Sequence, residues 1–93
     1  MKISIYGDLF MKADVFEEVI RRDLNLNNVE FKKTETTWPD DPFHNEFGEG
    51  DFSKIKEFQG SKDGVIEAIG DSEILINHMA PISEEILKET PNL

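Results

Sequence analysis

The chain opens with "KISIY" at positions 2–6, where Ile3 and Ile5 alternate with Ser4 and Tyr6 in the period-two pattern of a β-strand. Gly7-Asp8 breaks the alternation. In "DVFEEVIRRDL" the period changes. Val15, Phe16, Val19, Ile20 and Leu24 recur along one helical face with charges opposite. Asp14 followed by Glu17 reads as a capping box, in which the first side chain caps the helix and the second reaches back. Asn25 to Asn28 form a turn. "VEFKKTETTW" then gives a second strand with Val29 and Phe31 inward, its later part polar enough for a sheet edge.

Residues 39–50, "PDDPFHNEFGEG", combine prolines, glycines and acids as a loop does. "DFSKIKEF" has the spacing of a short helix burying Phe52, Ile55 and Phe58, and "DGVIEAIG" that of a helix leaving at Gly70. Ile74, Leu75 and Ile76 form an uninterrupted apolar strand, as expected in a sheet covered on both faces. Ser83 caps a last helix, whose first turn carries Glu84 and Glu85 at its positive end. No internal repeat or low-complexity tract interrupts this order.

The elements therefore run β-α-β-α-β-α, with crossovers long enough for parallel pairing. This is an α/β pattern with right-handed connections. Placing the first strand between the other two gives a flavodoxin-like three-layer sandwich with a partial parallel sheet of order 2-1-3. Ligands of such sheets bind at the carboxyl ends of the strands, where the strand order reverses. That rule sets the loop after strand one (Gly7, Asp8, Leu9, Phe10) beside the loop after strand three (Asn77, His78, Met79, Ala80, Pro81).

Composition narrows the function classes. Ninety-three residues suffice for one small domain. Twenty acids against 10 bases give a net charge of −10, which repels phosphate backbones and anionic membrane surfaces and argues against nucleic-acid or membrane partners. The chain has no cysteine, which removes disulfides, thiolate chemistry and cysteine-based metal sites and suits a cytoplasmic home. No apolar stretch reaches the length of a membrane span, and the first ten residues read as a strand rather than a signal peptide.

Candidate chemistry is sparse. The His78 imidazole could hydrogen-bond a carboxylate or carbonyl at the ligand-side edge, or exchange a proton there; the bland alternative is a strand-end histidine satisfied by a nearby carbonyl. Asn77 is either a ligand donor or the side chain that ties its own turn. Asp8 could serve as a base or metal ligand but is more simply a turn residue. The acids around Asp40, Asp41, His44, Glu46, Glu49 and Asp51 lack the spacing of a calcium loop. Trp38 reads as a half-buried anchor or a stacking surface. No glycine-rich phosphate fingerprint and no nucleophile–base–orienter set occurs.

Two blocks bring a family into view. "MKISIYGDLFMKADVFEEVI" and, after a variable middle, "AIGDSEILINHMAPISEEILKETPNL" resemble the N-terminal part of the D-isomer-specific 2-hydroxyacid dehydrogenases. The second block carries most of the likeness: Gly70-Asp71-Ser72-Glu73-Ile74-Leu75, then Ser83-Glu84-Glu85-Ile86-Leu87, then Pro91-Asn92-Leu93. The resemblance implies that residues 1–93 form a single, partial substrate-binding (catalytic) domain, with the NAD-binding domain absent. It implies an oxidoreductase acting on a small hydroxy acid with NAD(P) in the intact enzyme, no cofactor bound by this chain, and no catalytic residue in it. The substrate-binding residues implied are Asn77, His78, Met79 and Ala80, with Gly7 and Asp8 facing them across the edge. That loop has no arginine, which weighs against a phosphorylated substrate. A following strand would shield Ile74 to Ile76; without one, the expectation is self-association through that open edge. Two other classes compete: a stand-alone α/β interaction module using the Trp38 loop and the open edge, and a small metal-dependent enzyme using the acidic loop and His78.

Overall fold

A computed structural model of the chain describes residues 1–36, 55 and 58–93. The element order is β1 (Lys2–Asp8), α1 (Ala13–Leu24), β2 (Glu30–Thr36), α2 (Lys62–Ile69), β3 (Ile74–Asn77) and α3 (Glu84–Glu89). All pairings are parallel and the strand order is β2-β1-β3, so the flavodoxin-like α/β arrangement of order 2-1-3 is what the chain adopts.

The central place of β1 explains its burial. In the parallel register Ile3 lies between Phe31 and Ile74, and Ile5 between Lys33 and Ile76. Ile3 and Ile5 turn to one face, where with Ala13 they form a cluster joined by Phe16, Ile20, Phe31 and Ile76 under α1. Tyr6 turns to the other face, packing with Val65, Ala68, Ile69 and Ile86 of α2 and α3. Three layers result. The alternation that marks the strand does not mean that its polar positions face water. Ser4 is buried because its hydroxyl lies 2.8 Å from the Ala68 carbonyl and 2.6 Å from Ser72 Oγ, satisfying a carbonyl that the end of α2 leaves open.

Two expectations about α1 fail, each through a partner or surface distant in sequence. The helix is docked by Ala13, Phe16 and Ile20, while Val15, Val19 and Leu24 are exposed. The buried stripe is narrower than the apolar stripe in the sequence, because a two-strand platform of β1 and β2 covers only part of the helix. The capping box is also absent. Lys12 occupies the N-cap without a side-chain bond, and the Ala13 N–H donates 3.0 Å to Glu35 Oε1 from β2. Asp14 and Glu17 instead each meet Lys33 Nζ at 2.7 Å, and Glu17 also holds Arg21. These partners hold Glu17 below its usual range and push Lys33 up to about 12.

Other local expectations stand. Asn25 and Asn28 take positive φ in the turn before β2, and Gly70 leaves α2 at φ 54°. Ser83 accepts from the Ile86 N–H at 3.3 Å, capping α3. Ser61 caps α2 in the same way through Gly64. Among the described residues β2 and β3 are the sheet edges. Ile55 and Phe58 are half-buried and outside any helix; the rest of the short helix expected over 51–58 lies outside the described residues, as do Trp38 and the acidic run from Asp40 to Asp51.

Candidate functional site at the carboxyl edge of the sheet

Asp8 ends β1 and its side chain is 2% exposed. Oδ1 accepts two backbone N–H groups, from Phe10 at 2.8 Å and Met11 at 2.7 Å, while the Asp8 N–H donates 3.0 Å to the Met11 carbonyl. The loop thus closes on itself immediately after the strand. Gly7 permits this closure, since a Cβ there would stand 2.5 Å from the Met11 carbonyl oxygen and 2.8 Å from the Ala13 nitrogen.

The second carboxylate oxygen reaches the other loop. Asp8 Oδ2 lies 2.7 Å from His78 Nδ1. Burial pushes the Asp8 carboxyl up, but the Met11 N–H, the His78 ring and the Phe10 N–H together outweigh it and hold the group below the ordinary carboxylate range. An ionised carboxylate only accepts, so the proton between them sits on Nδ1 and His78 is the donor. Its tautomer and ring orientation follow, and Nε2 is the nitrogen that Asp8 does not engage. Phe10 stacks on the imidazole with ring centroids 6.0 Å apart and planes 26° from parallel.

The remaining loop residues build rather than face the site. Asn77 Nδ2 donates to the Ala80 carbonyl and Asn77 Oδ1 accepts the Ala80 N–H, both at 2.9 Å. Of the two roles open to Asn77 in the sequence, the geometry is that of the turn-tying side chain. Ala80 is buried in the α2–α3 core, and the Met79 carbonyl accepts the Gln59 N–H at 2.8 Å. The edge therefore brings Gly7, Asp8 and Asn77 to Ala80 together, and presents His78 as the side chain with chemistry to offer.

Leu9 and Phe10 belong to the ligand-side loop that the strand order predicts, and the three apolar residues between Asp8 and Lys12 are the signal in the sequence for an apolar element there. Together with Met11, Val15, Phe16 and Val19 they bound an apolar groove of about 360 Å³ between the β1–α1 loop and α1, with Lys12 on its wall. Among the described residues no group of three or more His, Cys, Asp or Glu side chains converges as a metal site requires. No described helix is long and apolar enough to cross a membrane.

Among the described residues, the first strand–helix turn does not suit the pyrophosphate of a dinucleotide. A pyrophosphate at the first strand–helix turn needs unspent backbone N–H groups and space for negative charge. Here the Phe10 and Met11 N–H groups are bound to the Asp8 carboxylate, and the Ala13 N–H to that of Glu35. Comparison of the chain with protein-family models, curated proteins and solved structures finds no match. Fold and site define the class: an open parallel α/β unit with a histidine–carboxylate pair at the strand-order reversal.

Proposed function

We propose that the chain is the N-terminal segment of a D-2-hydroxyacid dehydrogenase substrate-binding domain, in which His78 positions a 2-hydroxy or 2-oxo acid for NAD(P)-dependent hydride transfer. The observation that carries this reading is the 2.7 Å Asp8–His78 pair, which bridges the two loops at the carboxyl edge of the sheet. Asp8 fixes the ring with its proton on Nδ1, and Nε2 accepts the hydrogen bond of the substrate's 2-hydroxyl. The contribution is one of proximity and orientation, not proton transfer. The nicotinamide cofactor is held by residues other than these 93, in keeping with the spent N–H groups of the first turn.

The test is steady-state kinetics of the protein that carries this segment, with NAD or NADP and a panel of 2-hydroxy acids. His78→Gln is expected to raise KM about tenfold or more with little change in kcat, the signature of lost binding shared by ground and transition states. A kcat loss of about a thousandfold at constant KM would mean general acid–base chemistry instead. No turnover with any 2-hydroxy acid would overturn the dehydrogenase reading. The exposed apolar stripe of α1 favours one other reading, an interaction module, which predicts no turnover and loss of a protein partner on Val15→Lys.

A further inference from the structure

We infer that the chain carries a second ligand site, between β2 and α2 on the face of the sheet opposite α1, and that it takes a neutral polyhydroxylated small molecule the size of a monosaccharide. The site shares no residue with the carboxyl-edge site and does not depend on the dehydrogenase reading. It begins as a departure from the pattern of its layer. β1 turns Ser4 and Tyr6 toward α2, and in register Lys32 stands beside Ser4 and Thr34 beside Tyr6. Around Tyr6 the layer is apolar, built of Val65, Ala68, Ile69 and Ile86. On β2 the same face carries Lys32, Thr34 and Thr36, all half-buried and all polar, where a strand under a helix calls for apolar side chains.

A cavity of about 310 Å³ lies over these residues. Tyr6, Lys32, Thr34 and Thr36 line it from the sheet, while Gly64 and Ala68, one turn apart on α2, leave room above them. Tyr6 is only 5% exposed, yet its hydroxyl makes no hydrogen bond among the described residues, and neither do those of Thr34 and Thr36. Among the described residues no sealed side-chain polar atom lacks a partner, so these three hydroxyls are open to an occupant. Gly60 keeps the first of them clear, since a Cβ there would stand 2.9 Å from it. Burial pushes the Tyr6 hydroxyl above the ordinary tyrosine range, so it stays protonated and both donates and accepts. Lys32 donates to the Glu67 carbonyl near the end of α2, which fixes its ammonium at the cavity wall with further protons to give.

The lining selects the occupant. Three hydroxyls, one ammonium and the carboxylates of Glu35 and Glu67 suit a ligand that donates and accepts at several points, as a polyol does. Thr34 and Thr36 are two strand steps apart, about 6.6–6.8 Å, so they can meet separate hydroxyls of one sugar ring. An anion would face two carboxylates against one lysine, in a chain at −10. A cation would have the Lys32 ammonium against it, and an apolar group would leave the hydroxyls without partners.

The test is an NMR titration of the 93-residue chain with D-glucose, D-gluconate and putrescine. D-Glucose is expected to give saturable shifts at Tyr6, Thr34 and Thr36 and none at His78. Gluconate adds a carboxylate to the same carbon skeleton and should bind about tenfold or more weaker. Putrescine should give no saturable shift. Tyr6→Phe and Thr34→Val each remove one hydroxyl at nearly constant shape, and each should weaken glucose about three- to tenfold, the worth of one neutral hydrogen bond. Neither hydroxyl has a partner among the described residues, so both variants should keep the parent's Tm, which separates lost binding from lost folding. The inference is overturned by no saturable shift with glucose, by gluconate or putrescine binding as tightly, or by glucose affinity unaltered in both variants.

Discussion

Removing the Asp8 carboxylate tests the site and the fold together. In Asp8→Ala three hydrogen bonds to a charged acceptor disappear: those from the Phe10 and Met11 N–H groups and from His78 Nδ1. Each such bond contributes about 1.5–3 kcal/mol net, and a donor left dry costs about 1–3 kcal/mol. The Phe10 side of the loop is open, so water replaces part of what is lost there. The sum is an order-of-magnitude loss of about 3–5 kcal/mol, a large share of the roughly 5–15 kcal/mol that holds a domain together. For a chain of this size that is a fall in Tm of about 15–30 °C. Asp8→Asn keeps an acceptor for the two N–H groups and turns its amide toward the imidazole, so its loss should be only about 1–2 kcal/mol.

The pH dependence separates charge from shape. The folded-state pKa of Asp8 lies below the ordinary value of 3.8, so the carboxylate stabilises the fold fully above that value. This contribution is lost as pH falls through the lower, folded-state value. The stability gap between parent and Asp8→Asn should therefore be constant from pH 7 to about 5 and close progressively below about 4. Urea unfolding followed by circular dichroism at pH 7, 5 and 3 measures it, and imidazole nitrogen shifts report the tautomer. In the parent His78 should carry its proton on Nδ1, and in Asp8→Asn on Nε2. A gap that stays constant down to pH 2.5, or Ala and Asn variants of equal stability at pH 7, would refute the reasoning.

Three further outcomes are expected. Gly7→Ala forces a Cβ to 2.5 Å from a backbone oxygen, and should cost about 1–3 kcal/mol in chemical denaturation and displace the His78 ring resonances. Ser83→Ala removes the α3 cap and should cost about 1 kcal/mol, with Ser83→Asp near neutral, since both effects sit at one helix N-terminus. At the β3 edge the 93-residue chain should show a concentration-dependent mass in light scattering that Ile74→Lys abolishes; an unvarying single-chain mass would remove self-association through Ile74 to Ile76.

Much of this architecture is legible because local periods and caps agree with it. The strand alternation of Ile3 and Ile5, the Ser83 cap, the Gly70 exit and the apolar run Ile74 to Ile76 each have a local physical cause, and parallel pairing then follows from crossover length. The adjacency of the β1 and β3 loops is legible for the same reason, as a consequence of strand order. What was not legible depends on partners distant in sequence. Val15 and Val19 look buried until the platform under α1 is known to be two strands wide. The helix start looks self-capped by Asp14 until Glu35 arrives from β2 to take the Ala13 N–H. The Asp8–His78 contact spans 70 residues, and neither spacing nor composition announces it. Phe10 is legible as a member of the ligand-side loop, whereas its stacking on His78 is not, because that contact too joins residues far apart in sequence.

Among the described residues the two edges of the sheet differ in a way that bears on where another strand could pair. β2, "EFKKTET", carries Glu30, Lys32, Lys33 and Glu35 in seven residues, and its charges are tied to the helices: Lys33 to Asp14 and Glu17, Lys32 to the Glu67 carbonyl. Such an edge resists another strand, because pairing would confine those charges. β3, "ILIN", has none. The apolar edge is also the strand whose carboxyl end carries His78. Any strand added to this sheet, from a second copy or from further sequence, is therefore directed to the β3 side, and its own carboxyl-end or amino-end loop would fall beside His78. The asymmetry in charge thus directs any added strand toward the site rather than away from it.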